Sequence, residues 1–158
     1  MKTPLLILTT LLAVSLLYSC DPNRVYEKYL SLEDARWPRD KKAAFEVEIN
    51  DTISRYDLYV NFRHAGNYNY RNLYLFTEII GPRNLSAVDT LQMILADNRG
   101  NWLGKGIGDL YDYTFLFKKN ISFPAAGNYV FKIEQAMRDE ELKNVTDIGL
   151  RIEKTDAQ

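Results

Sequence analysis

The sequence predicts an all-β domain: an antiparallel β-sandwich of about seven to eight strands with jelly-roll or immunoglobulin-like connections. Three observations predict this class. Apolar and polar residues alternate with a period of two through most of the chain after residue 43. Turn residues such as Asn50-Asp51 and Gly81-Pro82 separate the alternating stretches at short intervals. One helix-like stretch, residues 138–144, is too short to change the class.

The strand candidates follow in chain order from this alternation. Between Phe45 and Ile49, apolar residues alternate with glutamates. Between Leu58 and Phe62, they alternate with Tyr59 and Asn61. The same pattern and the turn residues around it predict further strands at residues 73–80, 88–96, 111–118, 128–136 and 148–153.

The candidate strand 73–80 departs from a clean alternation because both of its faces are largely apolar. Leu73 and Leu75 fall on one face, and Tyr74 and Phe76 fall on the other. A sheet with two apolar faces is normally covered on both sides. The second face is therefore expected to lie beneath a loop, the N-terminal segment or a partner.

Strand 128–136 begins with a pattern typical of a tyrosine corner. Gly127 is followed by one residue and then by Tyr129. In such a corner, a buried tyrosine hydroxyl bonds to the backbone across the turn that enters the strand. The alternative is an ordinary strand tyrosine, and the role is structural in both cases.

The first nineteen residues are predicted to be a lipoprotein signal peptide. Lys2 precedes thirteen uncharged residues, 5–17, whereas a membrane-spanning helix needs about twenty. An aliphatic residue, Leu17, and a small residue, Ser19, then precede Cys20 in the arrangement that resembles the bacterial lipoprotein box. This resemblance implies that Cys20 receives a diacylglycerol thioether and becomes the new N-terminus. The alternative is a plain export signal or an uncleaved anchor, with Cys20 incidental.

The domain boundaries follow from this assignment. Residues 20–42 are expected to be the lipidated N-terminus and a polar, proline-containing tether, and residues 43–158 the β-sandwich domain. After Cys20, the sequence Asp21-Pro22-Asn23-Arg24 lacks the acidic run that resembles the surface-export signal of Bacteroidota lipoproteins. We therefore expect a lipid-anchored membrane protein that faces the periplasm.

Composition excludes several classes of function. The 158 residues include one cysteine and one histidine, so neither an internal disulfide nor a four-ligand structural zinc site of the usual type can form. The net charge of −1 gives no general attraction to nucleic acid. No cofactor is expected. Hydrophobic residues make up 46% of the chain, which is typical of a globular domain and not of a disordered one.

No residue pattern indicates an enzyme. His64 lacks a Gly-x-Ser-x-Gly or His-Glu-x-x-His context, so we interpret it as a polar residue at a strand end. The glycine-rich loop 96–112 does not have dinucleotide or EF-hand spacing. Oxygens of Asp97, Asn98, Asp109 and Asp112 could still bind Ca²⁺, but a loop shaped by its glycines and pinned by Trp102 is the preferred interpretation.

A group of aromatic, amide and arginine residues is the main candidate binding site. Tyr68, Tyr70 and Tyr74 lie close in sequence to Arg63 and to several asparagines, and Trp102 belongs to the glycine-rich loop. Such residues populate protein interfaces and also stack on sugars. Three interpretations stay open: a hairpin packed with half-buried tyrosines, a protein-binding surface, and a carbohydrate-binding surface.

Sequence blocks spread over the predicted mature chain carry a family resemblance. They are Cys20, Tyr26, Tyr29, Trp37, Tyr70 to Phe76, Asp89-Thr90-Leu91, Leu95 to Gly106, Gly127-x-Tyr129-x-Phe131, Gln135-x-Met137-Arg138 and Asp147 to Lys154. In this order and spacing they resemble GldH, a gliding motility lipoprotein family of Bacteroidota.

The resemblance implies an envelope lipoprotein of the gliding machinery, which is linked in this phylum to type IX secretion. It implies no enzyme activity and no catalytic residues. The expected partners are other gliding or secretion proteins of the envelope, with the membrane bound through the lipid anchor. The alternative function is a carbohydrate-binding β-sandwich on an envelope lipoprotein, with a glycan as the partner.

Overall fold

The computed structural model of the chain describes residues 21–155, in which eleven strands form three antiparallel sheets. The strands are β1 (Arg24–Ser31), β2 (Arg36–Pro38), β3 (Ala43–Ile49), β4 (Tyr56–Ala65), β5 (Asn72–Ile80), β6 (Ser86–Ile94), β7 (Lys105–Ile107), β8 (Leu110–Ile121), β9 (Gly127–Gln135), β10 (Glu141–Lys143) and β11 (Val145–Lys154). Two single 3₁₀ turns lie at Glu33–Ala35 and Pro82–Asn84.

The long strands form two layers. A five-stranded sheet has the order β1-β11-β4-β8-β7, a four-stranded sheet has the order β3-β9-β5-β6, and β2 pairs with β10 separately. Eight strands have seven or more residues. Among them, β1 pairs with β11, β3 with β9, β4 with β8 and β5 with β6, so the first strand pairs with the last and each next strand pairs one step further inward. This pairing is that of a jelly roll. The predicted all-β sandwich is therefore confirmed, in its jelly-roll form.

The seven strands predicted from alternation correspond to β3, β4, β5, β6, β8, β9 and β11. Three of the other four strands, β2, β7 and β10, have three residues each, which is too short for an alternating pattern to show. The prediction of one or two helical turns over residues 138–144 is wrong. Residues Glu141–Lys143 form β10. Their main-chain groups form hydrogen bonds with β2, and not the local hydrogen bonds of a helix.

The prediction that residues 20–42 form a tether needs correction, because most of these residues belong to the folded domain. Strand β1 pairs with β11 from Arg24 to Ser31, and β2 follows it. The sequence looked like a linker because β1 carries polar residues. In the fold, Ser31 donates a hydrogen bond to Asp147 at 2.7 Å, and Glu27 accepts one from Asn61 at 3.1 Å, so these residues belong to a polar sheet face. Residues 1–20, including Cys20, lie outside the described residues.

The core lies between the inner faces of the two large sheets. Its largest fully buried side chains include Trp37, Phe45, Phe62 and Phe131. The tyrosine corner is present: Tyr129 is buried, and its hydroxyl donates a 2.8 Å hydrogen bond to the carbonyl of Ala125. Within residues 21–155, no helix has the length and apolar character needed to cross a membrane.

Candidate interaction surfaces

An exposed apolar strip runs across the outer face of the four-stranded sheet. Because side chains alternate along a strand, the residues beside the buried Leu73 and Leu75 point outward. Four large apolar side chains meet solvent there. They are Tyr74 (38% exposed) and Phe76 (44%) on β5, and Val88 (67%) and Ile94 (46%) on β6. We call these four residues the outer strip.

The second apolar face of strand 73–80 is therefore exposed within the described residues, although a cover was expected from the sequence. The N-terminal segment was one of the candidate covers. It forms β1 instead, at the edge of the other sheet and paired with β11. Several large apolar side chains exposed on one sheet face are typical of interaction sites.

Charged residues surround Phe76, the centre of the outer strip. A hollow of about 490 Å³ on one side is lined by Phe76, Met137 and three charged residues that include Arg39. A second hollow, of about 210 Å³, lies on the other side and also contacts Val88. Two salt bridges lie beside these hollows. The Nζ of Lys42 lies 2.9 Å from a carboxylate oxygen of Glu134, and the Nζ of Lys132 lies 3.1 Å from one of Glu78. An apolar centre with a paired polar rim has the anatomy of a protein interface.

His64 is the centre of an aromatic cluster at the end of β4. It is 1% exposed, and its ring lies 4.5 Å from that of Trp102, 5.3 Å from that of Tyr68 and 5.8 Å from that of Tyr111. The indole of Trp102 donates a 3.2 Å hydrogen bond to the carbonyl of Gly66. Tyr68 is 5% exposed, and burial raises the pKa of its hydroxyl. The cluster therefore fastens the glycine-rich loop to the sandwich.

Arg63 lies on the outer face of the five-stranded sheet, in a polar network. Its guanidinium donates to Asp112 at 2.7 Å and to Asp147 at 3.4 Å, and it stacks on the ring of Tyr29 at 4.8 Å. Burial, with Asp112 nearby, raises the pKa of Tyr29 to about 12. Gly149 makes room for this ring, because an added Cβ would lie 3.1 Å from it. Arg63 is thus committed to cross-strand partners.

The five residues predicted as one binding site are divided among three places. Tyr68 and Trp102 meet in the His64 cluster, and Tyr70 adjoins them with its ring 5.8 Å from that of Tyr68. The hydroxyl of Tyr70 donates to Asp139 at 2.6 Å. Tyr74 belongs to the outer strip and Arg63 to the opposite sheet face. Strand alternation and burial therefore separate residues that are close in sequence, and the partner-binding role expected of these five residues stays a prediction.

The carboxylates of the glycine-rich loop do not converge. Asp97 accepts hydrogen bonds from the main-chain N–H groups of Arg99 and Asn101, both at 2.8 Å, and bonds from Asn101 lower its pKa. Asp112 is paired with Arg63. Among residues 21–155, no group of three or more histidine, cysteine or acidic side chains is placed to hold a metal ion. The loop is closed by its own polar contacts and by Trp102.

Comparison with known proteins shows which family this chain represents. The model of the family described as GldH lipoprotein matches residues 24–152. The gliding motility lipoprotein GldH homolog of Christiangramia forsetii is 36% identical over 163 aligned positions, covering 99% of each chain. The chain belongs to the GldH lipoprotein family. The gliding motility lipoprotein GldH of Flavobacterium johnsoniae is also 36% identical, over 92% of this chain and 94% of its own.

Two solved structures show a weak likeness to this GldH-family chain. The Yersinia pseudotuberculosis-derived mitogen has a TM-score of 0.36 and 9% identity, covering 84% of this chain and 89% of its own. The infectious bursal disease virus VP2 subviral particle also has a TM-score of 0.36, with 14% identity and coverage of 84% and 34%.

Sequence reasoning missed three members of the outer strip in this GldH-family domain as site residues. The signal for Phe76 was present in the doubly apolar strand 73–80. The sequence of β6 does not single out Val88 and Ile94, because the other outward-facing residues of this strand are polar. Pairing β6 with β5 in register, with Phe76 opposite Thr90, places them beside Tyr74 and Phe76. The sheet pairing is therefore needed to find the surface.

His64 gives the domain a predicted pH dependence. Burial lowers the pKa of His64 below its ordinary value of 6.5, and its buried Nε2 has no hydrogen-bond partner among residues 21–155. The unfolded chain therefore binds a proton near pH 6.5 that the folded chain does not. We expect the free energy of unfolding to fall below pH 6.5, by at most about 1.4 kcal/mol per pH unit from this group.

Urea denaturation at pH 7.5 and pH 5.5 measures this dependence, with His64→Phe as the non-titrating comparison. Phenylalanine keeps an aromatic ring in the cluster, and carboxylates contribute equally to both proteins. The variant should lose less stability between the two pH values than the parent. Equal losses would contradict the assignment to His64.

Proposed function

We propose that this GldH-family chain is a non-catalytic lipoprotein, anchored through Cys20 and facing the periplasm, that works by binding another envelope protein. Its place would be in the gliding machinery associated with type IX secretion. The names of the two curated relatives support the link to gliding motility. The outer strip is the observation that supports protein binding, because it exposes four large apolar side chains on one sheet face.

The edge of the sheet favours a protein partner over a small ligand. In the part of the chain that the structure describes, strand β6 pairs only with β5, so the main chain along its other side is open to a further strand there. Its outward residues, from Ser86 to Ile94, carry no charge that would block such pairing. By contrast, the other edge strand, β3, presents Glu46 and Glu48 outward. A partner segment could therefore bond to β6 and place apolar side chains against Phe76 and Val88.

The surroundings of the titratable groups support a non-catalytic role. His64 is enclosed by aromatic rings, and its Nδ1 lies 2.9 Å from the carbonyl of Ala65. A general base needs an accessible nitrogen beside a nucleophile or a substrate proton. Asp112 and Asp147 are both paired with Arg63, which favours their structural role.

The positions of Tyr68 and Tyr70 do not favour the carbohydrate-binding alternative. It required Tyr68 and Tyr70 to present their ring faces to solvent. Tyr68 is buried, and Tyr70 packs edge-on against it with its hydroxyl bound to Asp139. Protein binding is therefore the function that the surface favours.

The outer strip provides the first test of this function. Replacing both Phe76 and Val88 by serine should weaken partner binding, because central apolar anchors contribute most of the energy of an interface. A loss of about 2 kcal/mol corresponds to an affinity roughly 30-fold lower. Affinity purification from native membranes after cross-linking identifies the partner, and titration with that partner measures the affinity.

The matched control is Leu116→Ser on the outer face of the other large sheet. Leu116 is 37% exposed, close to the value for Tyr74, but it lies on β8. This variant should retain partner capture. Undiminished capture by the double variant, with the fold intact by circular dichroism, would contradict the proposed surface.

A further inference from the structure

The chain is fixed to the domain immediately after the predicted lipid-bearing residue. Asp21 pairs with Arg151 at 2.8 Å, and the N–H of Arg24 donates to the carbonyl of Asp21. The carbonyl of Asn23 then accepts a 2.8 Å hydrogen bond from Lys154. The described chain is therefore held by the sheet from Asp21 onward, and Asp21 is the residue that follows the predicted lipidation site in the sequence.

The loop from residue 50 to residue 55 lies at the same end of the sandwich. Lys154, which bonds to Asn23, also pairs through its ammonium group with Asp51 at 2.7 Å. The N–H of Thr155 donates to the carbonyl of Arg55 at 2.9 Å. The two ends of this loop are therefore joined to the strand that holds the N-terminal segment.

This loop holds an aliphatic side chain in solvent. Ile53 is 92% exposed, the highest value among the large exposed apolar side chains of the described residues. The loop is nevertheless ordered by its own hydrogen bonds: one carboxylate oxygen of Asp51 accepts from the N–H groups of Ile53 and Ser54, each at 3.0 Å. The other oxygen accepts from the Ser54 hydroxyl at 2.6 Å. The fold thus presents Ile53 to the surroundings at fixed geometry.

Two exposed basic residues lie at the same end of the sandwich as Ile53, and two of the carboxylates at this end are paired with arginine or lysine. Arg55 and Lys119 are exposed, and Lys119 is placed at this end because the next residue, Asn120, donates to Asp57 at 2.7 Å. Of the carboxylates, Asp21 is bound to Arg151 and Asp51 to Lys154. An exposed aliphatic residue beside cationic side chains suits the interface of a membrane with anionic headgroups.

We infer that this end of the sandwich rests on the lipid surface, with Ile53 inserted among the lipid headgroups. The inference depends on the proposed lipidation of Cys20, because the short connection of an acylated Cys20 to Asp21 leaves the domain no room to stand away from the bilayer. The outer strip lies along the side of the sandwich, so it stays accessible to a protein partner in this orientation.

A fluorescent probe at residue 53 tests the contact. Cys20 is the only cysteine in the sequence, and lipidation blocks its thiol, so a cysteine introduced elsewhere is labelled alone. Ile53→Cys carrying an environment-sensitive dye is compared with Ile107→Cys. Ile107 is 85% exposed but lies at the other end, where β8 pairs with the last residue of β4. Ten residues of β4 place the two ends about 30 Å apart.

The lipidated full-length protein is reconstituted into vesicles of phosphatidylethanolamine and phosphatidylglycerol that contain a nitroxide-labelled lipid. The dye at residue 53 should shift to shorter wavelength and be quenched several-fold more strongly than the dye at residue 107. Mass spectrometry of the N-terminal peptide reports acylation in the same sample. Equal, weak quenching of both dyes on acylated protein would overturn the membrane-facing orientation alone. Absence of the acyl mass would overturn both the orientation and the proposed anchor.

Discussion

Replacing Cys20 by alanine is expected to transfer the protein from the membrane fraction to the soluble periplasmic fraction. Two or three acyl chains bind a bilayer stably, because each buried CH₂ contributes about 0.8 kcal/mol. Alanine offers no thiol for the thioether, so these chains are not attached. Fractionation followed by immunoblotting measures the distribution.

Ser19→Ala is the matched control for this experiment. It changes the adjacent residue but keeps a small side chain before the cysteine, as the lipoprotein box requires. This variant should stay in the membrane fraction. If Cys20→Ala protein that has lost residues 1–19, as shown by its mass, remained fully membrane-bound after washing with high salt, the lipid would not be the anchor. The domain should fold in both variants, because the sheet begins only at Arg24.

The sequence predicted the sandwich well because most of its strands have one buried and one exposed face. In β3, the burial of successive residues alternates without interruption from Ala43 to Ile49, and their polarity alternates from Phe45 to Ile49. The same physical rule explains why β1 was missed. Its outward residues, such as Glu27 and Ser31, bind polar partners on the outer face of the sheet, so the strand reads like a polar linker.

The candidate site was predicted less well because it depends on contacts between distant strands. Tyr68 and Tyr74 are six residues apart, yet one is buried beside His64 and the other is exposed on β5. Sequence spacing could not show this, since the chain turns between β4 and β5. The doubly apolar pattern around Phe76 was the informative signal, and it predicted an interaction surface or a cover without showing which strand extends it.

The correction at β1 also changes how the domain is presented on the membrane. A tether over residues 20–42 would have let the sandwich tumble at a distance from the bilayer. With the proposed lipid anchor, a strand beginning at Arg24 would instead fix the orientation that we propose, in which one end faces lipid and the outer strip faces sideways. A partner in the same membrane would then meet the strip by lateral approach. This geometry connects the proposed anchor with the proposed binding surface.

Replacing Trp37 by alanine is expected to cause the largest loss of stability among single core substitutions. Trp37 is fully buried, and its indole N–H donates a 2.8 Å hydrogen bond to the carbonyl of Lys41. It lies on β2, whose only strand partner in the described chain is β10, so its packing attaches this small sheet to the core. Truncation of a buried tryptophan costs about 3–5 kcal/mol.

That loss would be a large part of the roughly 5–15 kcal/mol by which domains of this kind are stable. Urea denaturation of the soluble Cys20→Ala form measures it, and the other tryptophan provides the control. Trp102 is only partly buried and bonds to a loop carbonyl, so Trp102→Ala should cost distinctly less. If the two alanine variants lost equal stability, β2 and β10 would be peripheral to the core. A large loss for Trp37→Ala alone would establish this small sheet as part of the cooperative folding unit, closing the sandwich between β1 and β3.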